Sequence, residues 1–449
     1  MTEKVKLKKR DSTLAANPEN KEKESIASPL GPSFGNEISA FAFDVESLSR
    51  ANHQTMKVVE NATKELVKGF NAFFKEKSIV TKTEDGETAY QIKPADFPLF
   101  KKRSKDLKAS IQANMKIPQI FFCALIHQYD AFLGKLLKVA FYVKPESLNA
   151  SHKQVSFSEL MSFGSLDAAR EYLIEKEIES IIRENHDEQV TCMENRFGLA
   201  LRKDLPIWPM FIEMTERRNL YVHCDGIVSS QYLSVCQKHS FIHDNQLKAG
   251  QQLVVTKQYF DQAVDCILEI GVKLGHVLWR KLQPDKLNEA DKSLHFTAYG
   301  LLLDEKYSLS RTLLQFAVNT LKKHSSESIR RMNLINLAIS HYYLDNKPEA
   351  LALLDSQDWS ACEDKFKLAV AVLRDEYEIA EKLMQKIGKK GEVTREEYSS
   401  WPLFRTFRES KQFLRTYRKL FGKDFFIPKE EMQERSYGEE SQEVVGSDS

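Results

Sequence analysis

For most of its length this chain sets apolar residues three and four positions apart and gives itself few means of breaking a helix. Only 17 Gly and 13 Pro are spread over 449 residues. The stretches between them are rich in Leu, Ala, Lys and Glu, which lose little side-chain freedom in a helix. That combination predicts an all-α chain. At this length a single core no longer suffices, so two or three domains are expected.

Charge and cysteine usage narrow the function classes. The net charge is +1, so no global field attracts nucleic acid, and any such site must be local. Apolar runs such as Ile120 to Ile126 fall far below a membrane span. No apolar signal-peptide core follows the basic start. The six cysteines, Cys123, Cys192, Cys224, Cys236, Cys266 and Cys362, are widely scattered, which reads as reduced thiols in a cytosol. A cytoplasmic chain without a membrane partner is the expectation. Phosphate-loop, dinucleotide-turn and serine-hydrolase signatures are absent from the sequence. Cys224, Cys236, His239 and His243 have the wrong Cys–Cys gap for a zinc finger, so no metal and no cofactor are assigned.

Taken in order, residues 1–35 are polar, with Lys4, Lys6, Lys8, Lys9 and Arg10 crowded at the front, and predict a disordered basic tail. Residues 36–114 read as an N-terminal helical region striped by Val45, Leu48, Val58, Val59, Leu66, Phe70 and Phe73. One short β-hairpin is expected near 79–92, where Ile79-Val80 and Tyr90-Gln91-Ile92 flank Glu84-Asp85-Gly86-Glu87. A helix follows Pro94-Ala95-Asp96 and carries Lys101, Lys102, Arg103, Lys105 and Lys108. Residues 115–285 hold enough helices for a bundle: 119–144, 166–184, 187–200, 210–223, 229–237 and 256–282, with a capping box at Ser156 and Glu159.

Within residues 288–425, the stretch 288–388 shows weak internal similarity. Leu303-Asp304-Glu305-Lys306 matches Leu344-Asp345-Asn346-Lys347, with a looser copy from Leu373, at spacings of 41 and 29 residues. Arg405, Arg408, Lys411, Arg415, Arg418 and Lys419 line a basic stripe at its end, a footprint for RNA or another anionic partner beside the plainer reading of a solvated face. Residues 426–449 form an acidic tail.

The densest chemistry lies in residues 213–233, where Arg218-Asn219-x-x-x-His223 sits near the end of a helix that stops at Asp225-Gly226. Arg is a permanent, planar cation suited to phosphate oxygens. His exchanges protons near neutral pH. With both present, the 2′-hydroxyl of RNA can act as nucleophile without a metal. Asn219 is four residues before His223 and shares its helix face. Arg218 and His223 are about 140° apart around an α-helix, so two copies across a dimer axis would aim them at one phosphate more readily than one. The plainer reading of an Arg–His pair is again a solvated face.

This segment resembles the Arg-x4–6-His signature of the HEPN superfamily (higher eukaryotes and prokaryotes nucleotide-binding). The Tyr129-Asp130-Ala131-Phe132-Leu133-Gly134 helix and the Asp225-Gly226-Ile227-Val228 and Gln231-Tyr232-Leu233 pieces add to the likeness. It implies an HEPN-like helical bundle at 115–285 and metal-independent endoribonuclease activity in a toxin or antiphage-defence role. RNA would be the substrate and a homodimer through the bundle the working unit. By the same resemblance Arg218 holds phosphate, His223 moves the proton and Asn219 orients it. Arg217, Asp130 and Tyr232 are accessory candidates. Asp130 would face Arg218, or else lie on the exposed stripe of its helix. Residues 288–425 are similar to a degenerate tetratricopeptide-like array, which implies a protein partner. Two other readings stay open: a non-catalytic interaction scaffold, and a nucleotide-binding regulatory module.

Overall fold

The computed structural model describes residues 32–82, 88–150, 156–203, 205–241 and 247–426, and both terminal tails read from the sequence lie almost wholly outside them. Ser33 caps the first helix, α1 (Phe34–Lys77), by accepting the Asn36 N–H. Antiparallel strands β1 (Ser78–Lys82) and β2 (Thr88–Ile92) follow, paired from Ser78 with Ile92 to Lys82 with Thr88. They lead into α2 (Phe97–Val143). α1 and α2 have 44 and 47 residues, about 66 and about 70 Å at 1.5 Å per residue.

Only the inner half of each long helix is buried. On α1 the covered positions Phe34, Ile38, Phe41, Val45, Ser49 and Asn52 step by three or four, and beyond them only Phe73 is buried. On α2 burial begins at Pro118. The outer halves therefore project as a two-helix arm that ends in the β-hairpin. Phe70 and Phe100, 5.9 Å apart, and an Asn114 amide that donates to Thr63 Oγ1 at 2.6 Å join its two sides. α2 runs unbroken across 114/115, so the domain division expected there falls inside one helix. The start of a separate helix at 119 is likewise not found. Pro118 removes one backbone donor, and packing on both sides carries the helix through it.

Around the inner halves lie α3 (Phe157–Ser162), α4 (Leu166–Arg183), α5 (His186–Phe197), α6 (Trp208–His223), α7 (Ser230–Lys238) and α8 (Lys257–Leu282). The capping box at Ser156 and Glu159 forms as the sequence predicts. α8 is covered on nearly every side and crosses α1 closely enough to need glycine twice. A Cβ at Gly271 would come within 2.2 Å of Phe41 Cε1, and one at Gly275 within 2.7 Å of Ile38 Cγ1. Phe41 in turn stacks on Phe132 of α2 at 4.2 Å, so three helices meet at one point. By length and composition α2 is apolar enough to cross a membrane, and its Phe122, Leu125, Ile126, Phe132, Leu133 and Leu136 face this core.

Three helical hairpins follow: α9 (Leu287–Leu303) with α10 (Tyr307–Gln315), α11 (Glu327–Tyr342) with α12 (Lys347–Asp355), and α13 (Asp364–Leu373) with α14 (Tyr377–Ile387). Each turns on a non-glycine residue at positive φ, Glu305, Asp345 and Asp375, at 60°, 56° and 58°. In each, the next N–H reaches back to a carbonyl of the first helix: Lys306 to Leu301, Asn346 to His341 and Glu376 to Ala371, at 2.9, 3.0 and 2.9 Å. The same offsets from these turn residues are buried each time: Ala298, Ala338 and Leu368; Ser310, Ala350 and Ala380; Leu314, Leu354 and Met384. The sequence alignment of Leu303 with Leu344 is therefore one residue out of register, because Tyr343 is the structural counterpart of Leu303. No glycine marks the turn in any copy, so nothing in the sequence pins it. Two further helices, α15 (Arg395–Ser400) and α16 (Lys411–Phe421), close the end around Tyr398, Phe404, Phe407 and Phe413. Among the described residues the chain is thus all-α with one short β-hairpin.

The close α1–α8 crossing predicts that Gly271→Ala costs about 1–3 kcal/mol through the forced movement of Phe41. Gly300→Ala, on a helix with open space before it, is expected to be neutral or stabilising by about 0.5–1 kcal/mol. Urea denaturation compares the two, and equal midpoints would contradict the contact.

Candidate functional site

α6 carries the residues of interest, and its end is fixed from several directions. Cys224 donates its N–H to Leu220 at 2.8 Å and Gly226 donates to the same carbonyl at 3.0 Å. Asp225 and Gly226 both have positive φ, and a Cβ at Gly226 would strike Tyr221 at 2.7 Å, so glycine is required there. Gln252 Nε2 donates to the Asp225 carbonyl at 2.7 Å, while the Lys116 ammonium pairs with the Asp225 carboxylate. His223 accordingly occupies the last turn of α6, as expected, with its ring exposed. Asn219 is partly exposed one turn earlier, and among the described residues no hydrogen bond joins it to His223.

Arg218 lies at the boundary between core and solvent, with 27% of its side chain exposed. Its Nη2 donates to Asp130 Oδ2 at 3.4 Å, and Asp130 Oδ1 lies 2.9 Å from His186 Nε2. Asp130 therefore faces Arg218 and does not sit on an exposed stripe. The 3.4 Å separation is longer than the 2.7–2.9 Å of a strong charge-assisted bond, so the guanidinium is held loosely. Glu216 stands nearby, its carboxyl raised above the usual range by burial, with His186 and Arg218 opposing that rise. Burial likewise raises the Cys123 thiol, again opposed by Arg218. α6 is regular from Trp208 to His223, so Arg218 and His223 keep their separation of about 140° around its axis.

Arg217 points elsewhere. It is 7% exposed, its Nε donates to Glu213 Oε1 at 2.6 Å, and its guanidinium lies 3.8 Å from the ring centre of Tyr259. Tyr232 and Tyr259 donate their hydroxyls to the two oxygens of Glu213 at 2.5 and 2.6 Å. Burial, reinforced by the Glu213 charge, pushes both phenols up and keeps them as donors. Arg217 and Tyr232 thus belong to an interior network and not to the exposed face of α6. The sequence did offer a signal: Glu213 and Arg217 are four apart, the spacing of a helical ion pair. His186 and Tyr259 have no comparable local signal.

The basic stripe at the end of the chain divides: Arg405 and Arg408 are engaged by the fold, while Arg415, Arg418, Lys411 and Lys419 stay exposed. Arg405 pairs with Glu305 and donates to Tyr307 Oη at 2.5 Å, and Arg408 donates to the carbonyls of Tyr398 and Trp401. Arg415 pairs with Glu381 at 2.6 Å and Arg418 with Asp424 at 3.4 Å. Lys411 and Lys419 are exposed. Of the cysteine–histidine cluster, Cys236 is buried and Cys224 exposed, while His243 lies outside the described residues. Among those residues no three His, Cys, Asp or Glu side chains are grouped to hold a metal.

Compared with models of known protein families, with curated proteins and with solved structures, the chain matches none.

The two neighbouring arginines should separate in a stability measurement. Arg217→Ala strands the buried Glu213 charge and is expected to cost about 3–5 kcal/mol. Arg218→Ala breaks a partly exposed, long contact and should cost about 1 kcal/mol or less. Denaturant midpoints that moved equally would refute this division of roles.

Proposed function

We propose that the chain is a metal-independent endoribonuclease of HEPN type that works as a pair of chains, in a toxin or antiphage-defence role. One observation carries the reading. A half-buried, loosely tied guanidinium and an exposed imidazole share one helix whose end is anchored by Gln252 and Lys116. Asp130 at 3.4 Å keeps Arg218 extended without sealing it, so a phosphate can replace the carboxylate as its partner.

In the reaction, His223 takes the proton of an RNA 2′-hydroxyl as that oxygen attacks the adjacent phosphorus. Arg218 neutralises the non-bridging oxygens. The P–O5′ bond breaks, and the leaving oxygen takes a proton from an imidazolium. The products are a 2′,3′-cyclic phosphate and a 5′-hydroxyl. No metal, oxidant or protein nucleophile enters the balance. Because Arg218 and His223 diverge around the helix, the second chain supplies the missing direction. The exposed apolar side chains of Ile120, Val222 and Ile227 lie on the elements that carry the site and fit such a pairing.

A non-catalytic scaffold is the second reading. It is favoured by the Arg218–Asp130–His186 chain, which would serve packing alone, and by the three hairpins of 287–387.

Incubation of the purified chain with mixed RNA in EDTA separates the two. The nuclease reading expects cleavage that survives chelation and falls about a hundredfold or more in both His223→Ala and Arg218→Ala. It also expects growth inhibition on expression that the same substitutions relieve. Identical background cleavage in all three proteins leaves the scaffold.

A further inference from the structure

The arm formed by the outer halves of α1 and α2 supplies no residue to the site on α6, yet it concentrates charge. Residues 53–117 hold thirteen Lys and Arg against eight Asp and Glu, while the whole chain carries a net charge of only +1. Three of those acids, Glu84, Asp85 and Glu87, lie outside the described residues. A local field of this kind gathers a polyanion where the molecule as a whole has no field to do so.

The cations on α2 are ordered. Lys101, Lys105 and Lys108 fall within about 60° of one another around the helix, and Lys116 extends the same face, about 22 Å from Lys101 along the axis. Lys101, Lys105 and Lys108 are exposed, and among the described residues no carboxylate pairs with them. Arg103 points elsewhere: it donates to the Gly69 carbonyl at 2.9 Å and lies over the Phe73 ring. Followed inward, the lysine face is the one that meets α6. Lys116 pairs with Asp225, two residues beyond His223, and Asp130, within the same arc of about 80°, accepts from Arg218. At the outer end Tyr90 and Phe97 present exposed rings, and the Lys101 ammonium lies 5.0 Å from the centre of Phe97. Cations beside exposed rings suit the phosphates and bases of single-stranded RNA, whereas an acidic peptide brings carboxylates with no base to stack.

We propose that the arm holds single-stranded RNA along this lysine face, with backbone phosphates on Lys101, Lys105 and Lys108, and leads the strand toward the end of α6. The inference rests on the nuclease reading for the identity of the polyanion. It gives the arm a task that α6 cannot perform alone, since one loosely tied guanidinium grips one phosphate and the lysine face grips several. Contacts to the backbone carry no sequence information, so the hold is indifferent to base order and weakens as salt rises.

Fluorescence anisotropy of a labelled oligouridylate of about 20 nucleotides tests it, titrated with the full chain carrying His223→Ala to prevent turnover. Adding Lys101→Gln, Lys105→Gln and Lys108→Gln together should weaken binding about tenfold or more at about 0.15 M salt. The slope of log affinity against log salt should become shallower by about 2, the share of three phosphates on a single strand. Lys286→Gln, Lys292→Gln and Lys382→Gln remove the same charge at exposed positions elsewhere and should weaken binding far less. All six positions are exposed, so both variants should keep the parent melting temperature. Unchanged affinity and slope in the arm variant overturn the proposal, as does equal weakening by the control. Polyglutamate of matched charge that displaces the RNA equally well also overturns it, and makes the arm a dock for acidic protein segments. Loss of binding without loss of wild-type cleavage sinks this inference alone, and RNA binding by a wild-type chain that never cleaves sinks the nuclease reading alone.

Discussion

A carboxylate with no access to water decides which way α6 turns. Glu213 is 0% exposed and is met by a guanidinium and two phenols, from α6 itself, α7 and α8. A buried charge is tolerable only when its lone pairs are matched, and here every partner comes from a defined direction. Rolling α6 by one residue would carry Glu213 and Arg217 together away from the Tyr232 and Tyr259 hydroxyls and leave the carboxylate without those two donors. The network therefore sets the roll of the helix, and with it the outward presentation of Arg218, Asn219 and His223. The interior arginine positions its half-buried neighbour.

The same logic of close contact governs the larger frame. Gly271 and Gly275 let α8 approach α1 until Phe41 and Ile38 fill the space a methyl would take. That contact joins the N-terminal helix to the bundle, which is why residues 34–52 do not form a unit of their own. Beyond Asn52 and before Pro118 the two long helices pack mainly on each other, and the His53–Asp261 and Lys116–Asp225 pairs at the neck tie them to the bundle. A cleft of about 700 Å³ lies at this transition, where packing thins.

Much of the local structure was legible. Ser156 with Glu159, the stop at Asp225-Gly226 and the hairpin around 79–92 are written in capping and turn chemistry that acts within a few residues. Asp130 facing Arg218 could be expected only through the likeness of the segment to HEPN proteins. Three things were hidden for physical reasons. Neighbouring arginines differ by about 100° around a helix, and although Glu213 lies four residues from Arg217, its burial depends on Tyr232 and Tyr259, which are distant in sequence. Of the arginines near the C-terminus, Arg405 and Arg408 are drawn into the fold by Glu305 and by the carbonyls of Tyr398 and Trp401, partners that the local sequence does not reveal. The repeat register slipped because Glu305, Asp345 and Asp375 adopt a backbone shape that sequence normally assigns to glycine or asparagine.

Pro118 has a mechanical consequence. It removes one rung of the helical ladder at the neck of the arm, where the surrounding core ends. The stretch from there back to Phe97 spans about 30 Å, so a tilt of about 5° at the neck sweeps the distal strands through about 3 Å. Small changes in the crevice beside Asn52 would thus be magnified at the far hairpin, as a boom magnifies a turn at its pivot.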